Sequence, residues 1–91
     1  MTQQYIVGQF SVLLAEMEPV AGEWQATVRD LRRKVETSPL PMLPRLAGEA
    51  VVLIDRVCWV ALEEGDAAGF RRAAETGASL RDFTANAGLV P

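Results

Sequence analysis

The side chains that could do chemistry in this sequence are one cysteine and a few groups of neighbouring carboxylates. The chain has no histidine, so it lacks the commonest general base and the ligand that di-iron helical bundles require. Cys58 would need a nearby cation to lower its pKa, and its position in an apolar helix predicts an inert thiol. The carboxylates Glu63, Glu64 and Asp66 surround a predicted helix end, where solvent-exposed acids are common. We therefore expect no enzymatic activity, no catalytic residue, no metal site and no cofactor.

Composition indicates one small globular domain with an excess of apolar residues. The chain has 91 residues, of which 49% are hydrophobic and 23% are charged. A chain of this length buries about 60–65% of the surface that it exposes when unfolded. So small a core cannot bury all of the apolar side chains. We therefore expect an exposed apolar patch that binds a partner. Residues 1–91 form one predicted helical domain, with a Pro-rich connector at 37–44 and a short tail at 88–91.

The net charge, the cysteine content and the N-terminal sequence indicate where the protein is located and which partners it binds. The formal net charge is −3, which argues against nucleic acid and anionic membranes as partners. A single cysteine cannot form a disulfide within the chain, as is typical of a reducing compartment. The first ten residues, MTQQYIVGQF, lack the basic start of a signal peptide, and no apolar run reaches the length of a membrane span. We therefore expect a cytoplasmic protein. Lys34 is the single lysine among nine basic residues, and this bias is typical of a high-GC bacterial genome.

Apolar residues recur at helical spacing in four segments, and no segment alternates as a strand would. The predicted helices cover residues 3–17, 20–36, 44–64 and 66–87. Pro19 either separates the first two helices or kinks one rod. The apolar phase continues across Gly77, which favours a single fourth helix. Short connections between the helices predict an all-α, compact four-helix bundle of the up-down type.

Glycine, aspartate and proline residues mark the predicted helix ends. Gly65 and Gly88 are predicted stops, and Asp66 is a predicted cap of the fourth helix. The prolines of TSPLPMLPR, residues 37–45, exclude a regular helix there, except that Pro44 suits a first helical turn. The basic residue follows Pro44 directly, unlike the usual proline-rich docking motif, so we interpret this segment as a rigid connector.

The third helix contains VVLIDRVCWVAL, residues 51–62, in which Asp55 and Arg56 interrupt an apolar run. At 100° per residue, an apolar arc of roughly 200° covers most of this helix, as expected of the central helix of a bundle. This arc contains Leu46, Ala47, Ala50, Val51, Leu53, Ile54, Val57, Cys58, Val60, Ala61 and Leu62. The remaining polar strip includes Arg45, Glu49, Asp55, Arg56 and Glu63. The two charges at the centre therefore need not lie in the core.

The same uncovered side carries Val52 and Trp59, with Gly48 below them. A tryptophan between opposite charges is a typical composition for an interface hot spot. The predicted interface, hereafter the Trp59 strip, consists of Gly48, Val52, Asp55, Arg56, Trp59 and Glu63. In a two-fold dimer, Asp55 of one copy would pair with Arg56 of the other. The alternative is that the proline connector or Arg56 of the same chain covers Trp59.

A DNA-binding regulator is one alternative function. Its first support is the basic run of the second helix, which offers possible nucleic-acid contacts at Arg29, Arg32, Arg33 and Lys34. Basic residues near a helix C-terminus also simply complement the helix dipole. Its second support is SLRDFTANAGLVP, residues 79–91, which resembles the first helix and turn of helix-turn-helix regulators at Leu80, Phe83 and the turn 87–89. Thr84 stands where such motifs usually have alanine, and no recognition helix follows, so we interpret this segment as a helix with a glycine cap.

A small-ligand-binding protein is the other alternative. Small residues of the fourth helix could leave a pocket opposite aromatic side chains, or could serve close helix packing. The small residues are Ala73, Ala74 and Gly77, and the aromatic ones are Phe10, Trp24 and Phe70. The leading hypothesis is a non-enzymatic helical interaction protein that uses the Trp59 strip, either as a homodimer or as one half of a complex with another protein. Such a protein could be a regulator, an adaptor or an assembly subunit.

Overall fold

The computed structural model of the protein describes residues 3–89, which fold into four α-helices and no strand. The helices are α1 (Gln3–Met17), α2 (Gln25–Thr37), α3 (Leu43–Glu63) and α4 (Ala67–Asn86). They pack into a body of 39 × 23 × 19 Å. The predicted all-α four-helix bundle is therefore confirmed. Among these residues, no helix has the length and apolar character that crossing a membrane requires.

Polar contacts show that α1 and α2 form an antiparallel hairpin. Arg29 near the start of α2 forms an ion pair of 2.8 Å with Glu18, just after the end of α1. Glu36 near the end of α2 accepts a hydrogen bond of 2.9 Å from the hydroxyl of Ser11, in the middle of α1. The order of the contacts along α2 is the reverse of their order along α1, so the two helices run in opposite directions.

The other neighbouring helices complete the up-down bundle. The three-residue connection from α3 to α4 makes these two helices antiparallel, and α1 meets α4 through Phe10 and Phe83. The two rings pack edge to face with their centroids 6.2 Å apart. α2 also packs against α3, so every helix packs against two others around a shared core.

The start of α2 differs from the prediction. The chain makes two short 3₁₀ turns, Glu18–Val20 and Gly22–Trp24, and α2 begins at Gln25 and not at residue 20. Pro19 lies in the first turn, and Gly22 has φ +55°, which a right-handed helix cannot accommodate. Pro19 therefore separates α1 from α2.

The predicted caps of α3 and α4 are confirmed. Gly65 follows α3 with φ +71°, and the amide of Asp66 donates to the carbonyl of Ala61 over 2.9 Å, as in a Schellman motif. The carboxylate of Asp66 then accepts a hydrogen bond of 2.8 Å from the amide of Gly69 and caps α4. Gly88, with φ +72°, ends α4 in the same way. Val90 and Pro91 of the predicted tail lie outside the described residues.

α4 is continuous across Gly77 because this glycine lets α4 approach α3. A Cβ atom at Gly77 would lie 2.6 Å from Cγ2 of Ile54, a distance that two carbon atoms do not tolerate. Ala73, one turn earlier in α4, is also fully buried. These small residues therefore serve close packing between the two helices. The connector before α3 contains a 3₁₀ turn at Leu40–Met42, and α3 begins at Leu43, with Pro44 in its first turn.

Candidate interaction surface

α3 packs against α2 and α4 and is no more central than the other helices, so the prediction of a central helix is wrong. The side that it buries is opposite the Trp59 strip. Its buried residues are Leu43, Leu46, Ala47, Ala50, Leu53, Ile54, Val57, Val60 and Ala61. Most of the predicted apolar arc is therefore confirmed. Leu62 is an exception, because its side chain is 54% exposed and lines an open groove beside the start of α4. Because much of α3 is packed in the core, the Trp59 strip lies on a rigid helix.

The centre of the Trp59 strip is exposed and apolar. The side chain of Trp59 is 64% exposed and that of Val52 is 53% exposed. Gly48 is half-buried, and a Cβ atom added to it would meet nothing within 4 Å, which leaves a shallow notch in the surface. Glu63 is exposed at the far end of the strip. The structure thus places all these residues on one side of α3.

The two central charges of the strip each have a partner within the chain. Arg56 lies over the ring of Trp24, with its guanidinium carbon 5.1 Å from the ring centroid. Asp55 pairs with Arg81 of α4 through an ion pair of 3.0 Å. Because Arg56 lies over Trp24 and Trp59 is 64% exposed, the hypothesis that Arg56 or the proline connector covers Trp59 is wrong. A pair between Asp55 and Arg56 of a second copy would compete with these contacts.

A groove between α2 and α3 borders the strip. It has a volume of about 550 Å³. It is lined by Trp24, Thr27, Asp30, Leu31, Lys34, Gly48, Glu49, Val52, Leu53 and Arg56. The floor is apolar and the rims carry both signs of charge. The sequence-based prediction missed the α2 residues of this groove, although it named Trp24 as an aromatic side chain that could border a pocket.

A second groove lies between the end of α3 and the outer side of α4. It has a volume of about 670 Å³ and is lined by Ala61, Leu62, Gly65, Asp66, Ala67, Phe70, Arg71, Ala74, Glu75 and Ala78. Ala74 and Phe70 of the predicted ligand pocket lie here, whereas Phe10 is fully buried in the core. The structure therefore does not bring the predicted pocket residues together around one cavity.

Cys58 lies beside the strip with its thiol half-buried. Burial raises the pKa of the Cys58 thiol, and the carboxylate of Asp55 raises it further, while Arg81 has the smaller opposite effect. The thiol therefore stays protonated at neutral pH, which is the condition of a structural cysteine. Among residues 3–89, no three metal-ligating side chains lie close enough to hold a metal ion.

The basic run of α2 is partly neutralised by acids. Arg29 pairs with Glu18, and Arg32 lies 3.3 Å from the carboxylate of Glu36 and donates to the hydroxyl of Ser11. Arg33 and Lys34 are exposed. These acids offset part of the positive charge of this face.

Comparisons of the chain with protein-family models, with curated proteins and with solved structures found no match. The surface of the chain is therefore the main indication of its function. Its most distinctive feature is an exposed aromatic side chain on the most deeply packed helix.

Proposed function

We propose that this chain is a non-enzymatic, cytoplasmic protein-protein interaction module that self-associates through the Trp59 strip. The observation that carries the proposal is the 64% exposure of Trp59 next to Val52, in the middle of α3. Tryptophan contributes more often than most residue types to the binding energy of interfaces, because it buries a large apolar area at low entropic cost. A regulator, an adaptor and an assembly subunit could each use such a surface.

The rigidity of α3 supports the proposal. Val57 and Ile54, on the opposite side of the helix, are buried in the core, so Trp59 is presented without a loop that must become ordered on binding. Binding by preformed helix faces avoids that entropic cost. Because Val52 and Trp59 are the two large apolar side chains exposed in the strip, we expect association in the micromolar range or weaker.

The test is the solution mass, measured by light scattering from about 1 µM to 1 mM, the range that a weak interface requires. We expect the native chain to become dimeric with rising concentration and Trp59→Glu to remain a monomer. Val12→Glu is the matched control, because Val12 is also a large apolar residue with its side chain 53% exposed, but on α1. A native chain that is monomeric throughout, or a dimer that Trp59→Glu leaves intact, would contradict the proposal.

A second candidate function is the binding of a small apolar ligand in the groove between α2 and α3. Its volume of about 550 Å³ is within the range of small-molecule sites. This candidate predicts saturable, one-to-one quenching of tryptophan fluorescence by an apolar dye at protein concentrations where the chain is monomeric. Quenching that appears only together with a change of mass would instead favour self-association.

A further inference from the structure

Four charged residues alternate in sign along the exposed side of α3: Arg45, Glu49, Arg56 and Glu63. At 100° per residue, they lie within an arc of about 40° beside the Trp59 strip, and Glu49 and Arg56 also line the groove between α2 and α3. All four are exposed, and within residues 3–89 none of them forms an ion pair. Arg56 stacks on the Trp24 ring, but a stacked guanidinium keeps in-plane N–H donors for a carboxylate. The row is thus a pattern of opposite charges without ion pairs inside the described chain.

Two copies of this row place opposite charges side by side only when the two α3 helices run antiparallel. In an antiparallel pair of α3 helices, Arg45 of one copy meets Glu63 of the second copy, and Glu49 meets Arg56 of the second copy. In a parallel pair in register, each residue would meet its own equivalent, which brings like charges together. The two antiparallel pairings share nearly the same centre, close to residue 53, so one arrangement of the helices satisfies both.

We propose that the partner of the Trp59 strip is a second copy of this chain, packed with its α3 antiparallel about a two-fold axis near Val52. This inference rests on the proposed self-association and adds its orientation and register. Reversal about residue 53 brings Trp59 of one copy to the level of Gly48 of the second copy. The open space above Gly48 can receive the indole ring, and Val52 then packs near its own equivalent on the axis.

A charge-reversal cycle tests the register. The variants are Arg45→Glu, Glu63→Arg and the double variant, and the readout is the dimer dissociation constant from sedimentation. Each single variant is expected to weaken the dimer about tenfold, because it turns two symmetric attractive pairs into repulsive ones, and the double variant is expected to restore it. Positions 45 and 63 are about 27 Å apart along α3, so a coupling between them can arise only across two chains.

Two controls match the changes of net charge. Arg72→Glu on α4 matches Arg45→Glu, and Glu16→Arg on α1 matches Glu63→Arg; both control residues are exposed and lie away from the strip. The controls are expected to leave the dissociation constant within about twofold of native at moderate salt. Circular dichroism melts check that every variant folds.

Cysteine cross-linking provides a second measurement that does not depend on the strength of an ion pair. In a Cys58→Ser background, a mixture of Arg45→Cys and Glu63→Cys chains is expected to form the mixed disulfide. Arg45→Cys chains that cross-link to each other would overturn the antiparallel register, as would a double variant weaker than both single variants. In those cases the proposed function stands, because a dimer still forms. A native chain that stays monomeric up to about 1 mM would overturn both proposals.

Discussion

Arg56 of α3 lies over the ring of Trp24, the residue immediately before α2, with its guanidinium carbon 5.1 Å from the ring centroid. Trp59 also lies within one turn of Arg56 along α3, yet its side chain is exposed. The cation–π contact therefore joins α2 to α3 and leaves the indole of Trp59 uncovered. Trp24 thus contributes to the packing of the bundle, whereas Trp59 is exposed to solvent.

Replacing Arg56 should therefore weaken the bundle slightly. We expect Arg56→Ala to lower the free energy of unfolding by about 0.5–1 kcal/mol, the usual size of an exposed cation–π contact. The measurement is urea unfolding at a concentration where the chain is monomeric. Arg56→Lys is the matched control, since it keeps a cation near Trp24 and should lose less than alanine does. Equal losses in the two variants would mean that the contact contributes through packing of the side-chain stem alone.

Gly77 and Gly8 provide a matched pair of helix-interior glycines for testing the packing of α4 against α3. A Cβ atom at Gly77 would lie 2.6 Å from Cγ2 of Ile54, whereas one at Gly8 would meet nothing within 4 Å. We expect Gly77→Ala to destabilise the chain by about 1–3 kcal/mol through overpacking. Gly8→Ala should stabilise it by up to about 1 kcal/mol through helix propensity. Thermal unfolding of both variants checks the signs, and a stabilising Gly77→Ala would contradict the close approach of the two helices.

The thiol of Cys58 should react slowly in the folded chain. Burial and Asp55 raise its pKa, so at about pH 8 the thiolate fraction is smaller in the folded chain than in the unfolded one. We expect alkylation to be slower in the native protein than in urea, and its rate to keep rising at alkaline pH. Asp55→Asn should speed the reaction, because it removes a charge that raises the pKa and leaves the lowering effect of Arg81. Glu49→Gln, also on α3, is the control and should leave the rate unchanged.

The helix ends were predictable from sequence wherever a local signal sets them. Gly65, Asp66 and Gly88 act within a few residues of their own position, and their roles in the structure are the predicted ones. The start of α2 was not predicted correctly. A proline at the first turn of a helix is favourable in general, and only the positive φ of Gly22 shows that the chain turns there before α2 can begin.

The partners of the surface residues were not predictable, because they depend on how the helices pack. Periodicity places Asp55 and Arg56 on the exposed side of α3, and the structure agrees. It cannot indicate that Asp55 reaches Arg81, 26 residues away, or that Arg56 selects Trp24 and not Trp59. These choices follow from the positions of α4 and α2 beside α3. The exposure of Leu62 has the same cause, since the start of α4 leaves that side of α3 open.

The emission of Trp59 tests the central claim most directly. The chain has two tryptophans, so Trp24→Phe leaves Trp59 as the only reporter and keeps an aromatic ring beneath Arg56. We predict that the emission maximum shifts to shorter wavelength as the concentration rises, over the same range in which the mass doubles, because the indole leaves water when the second copy covers it. A mass that doubles while the emission stays that of an exposed indole would place the contact elsewhere and contradict the role of the Trp59 strip.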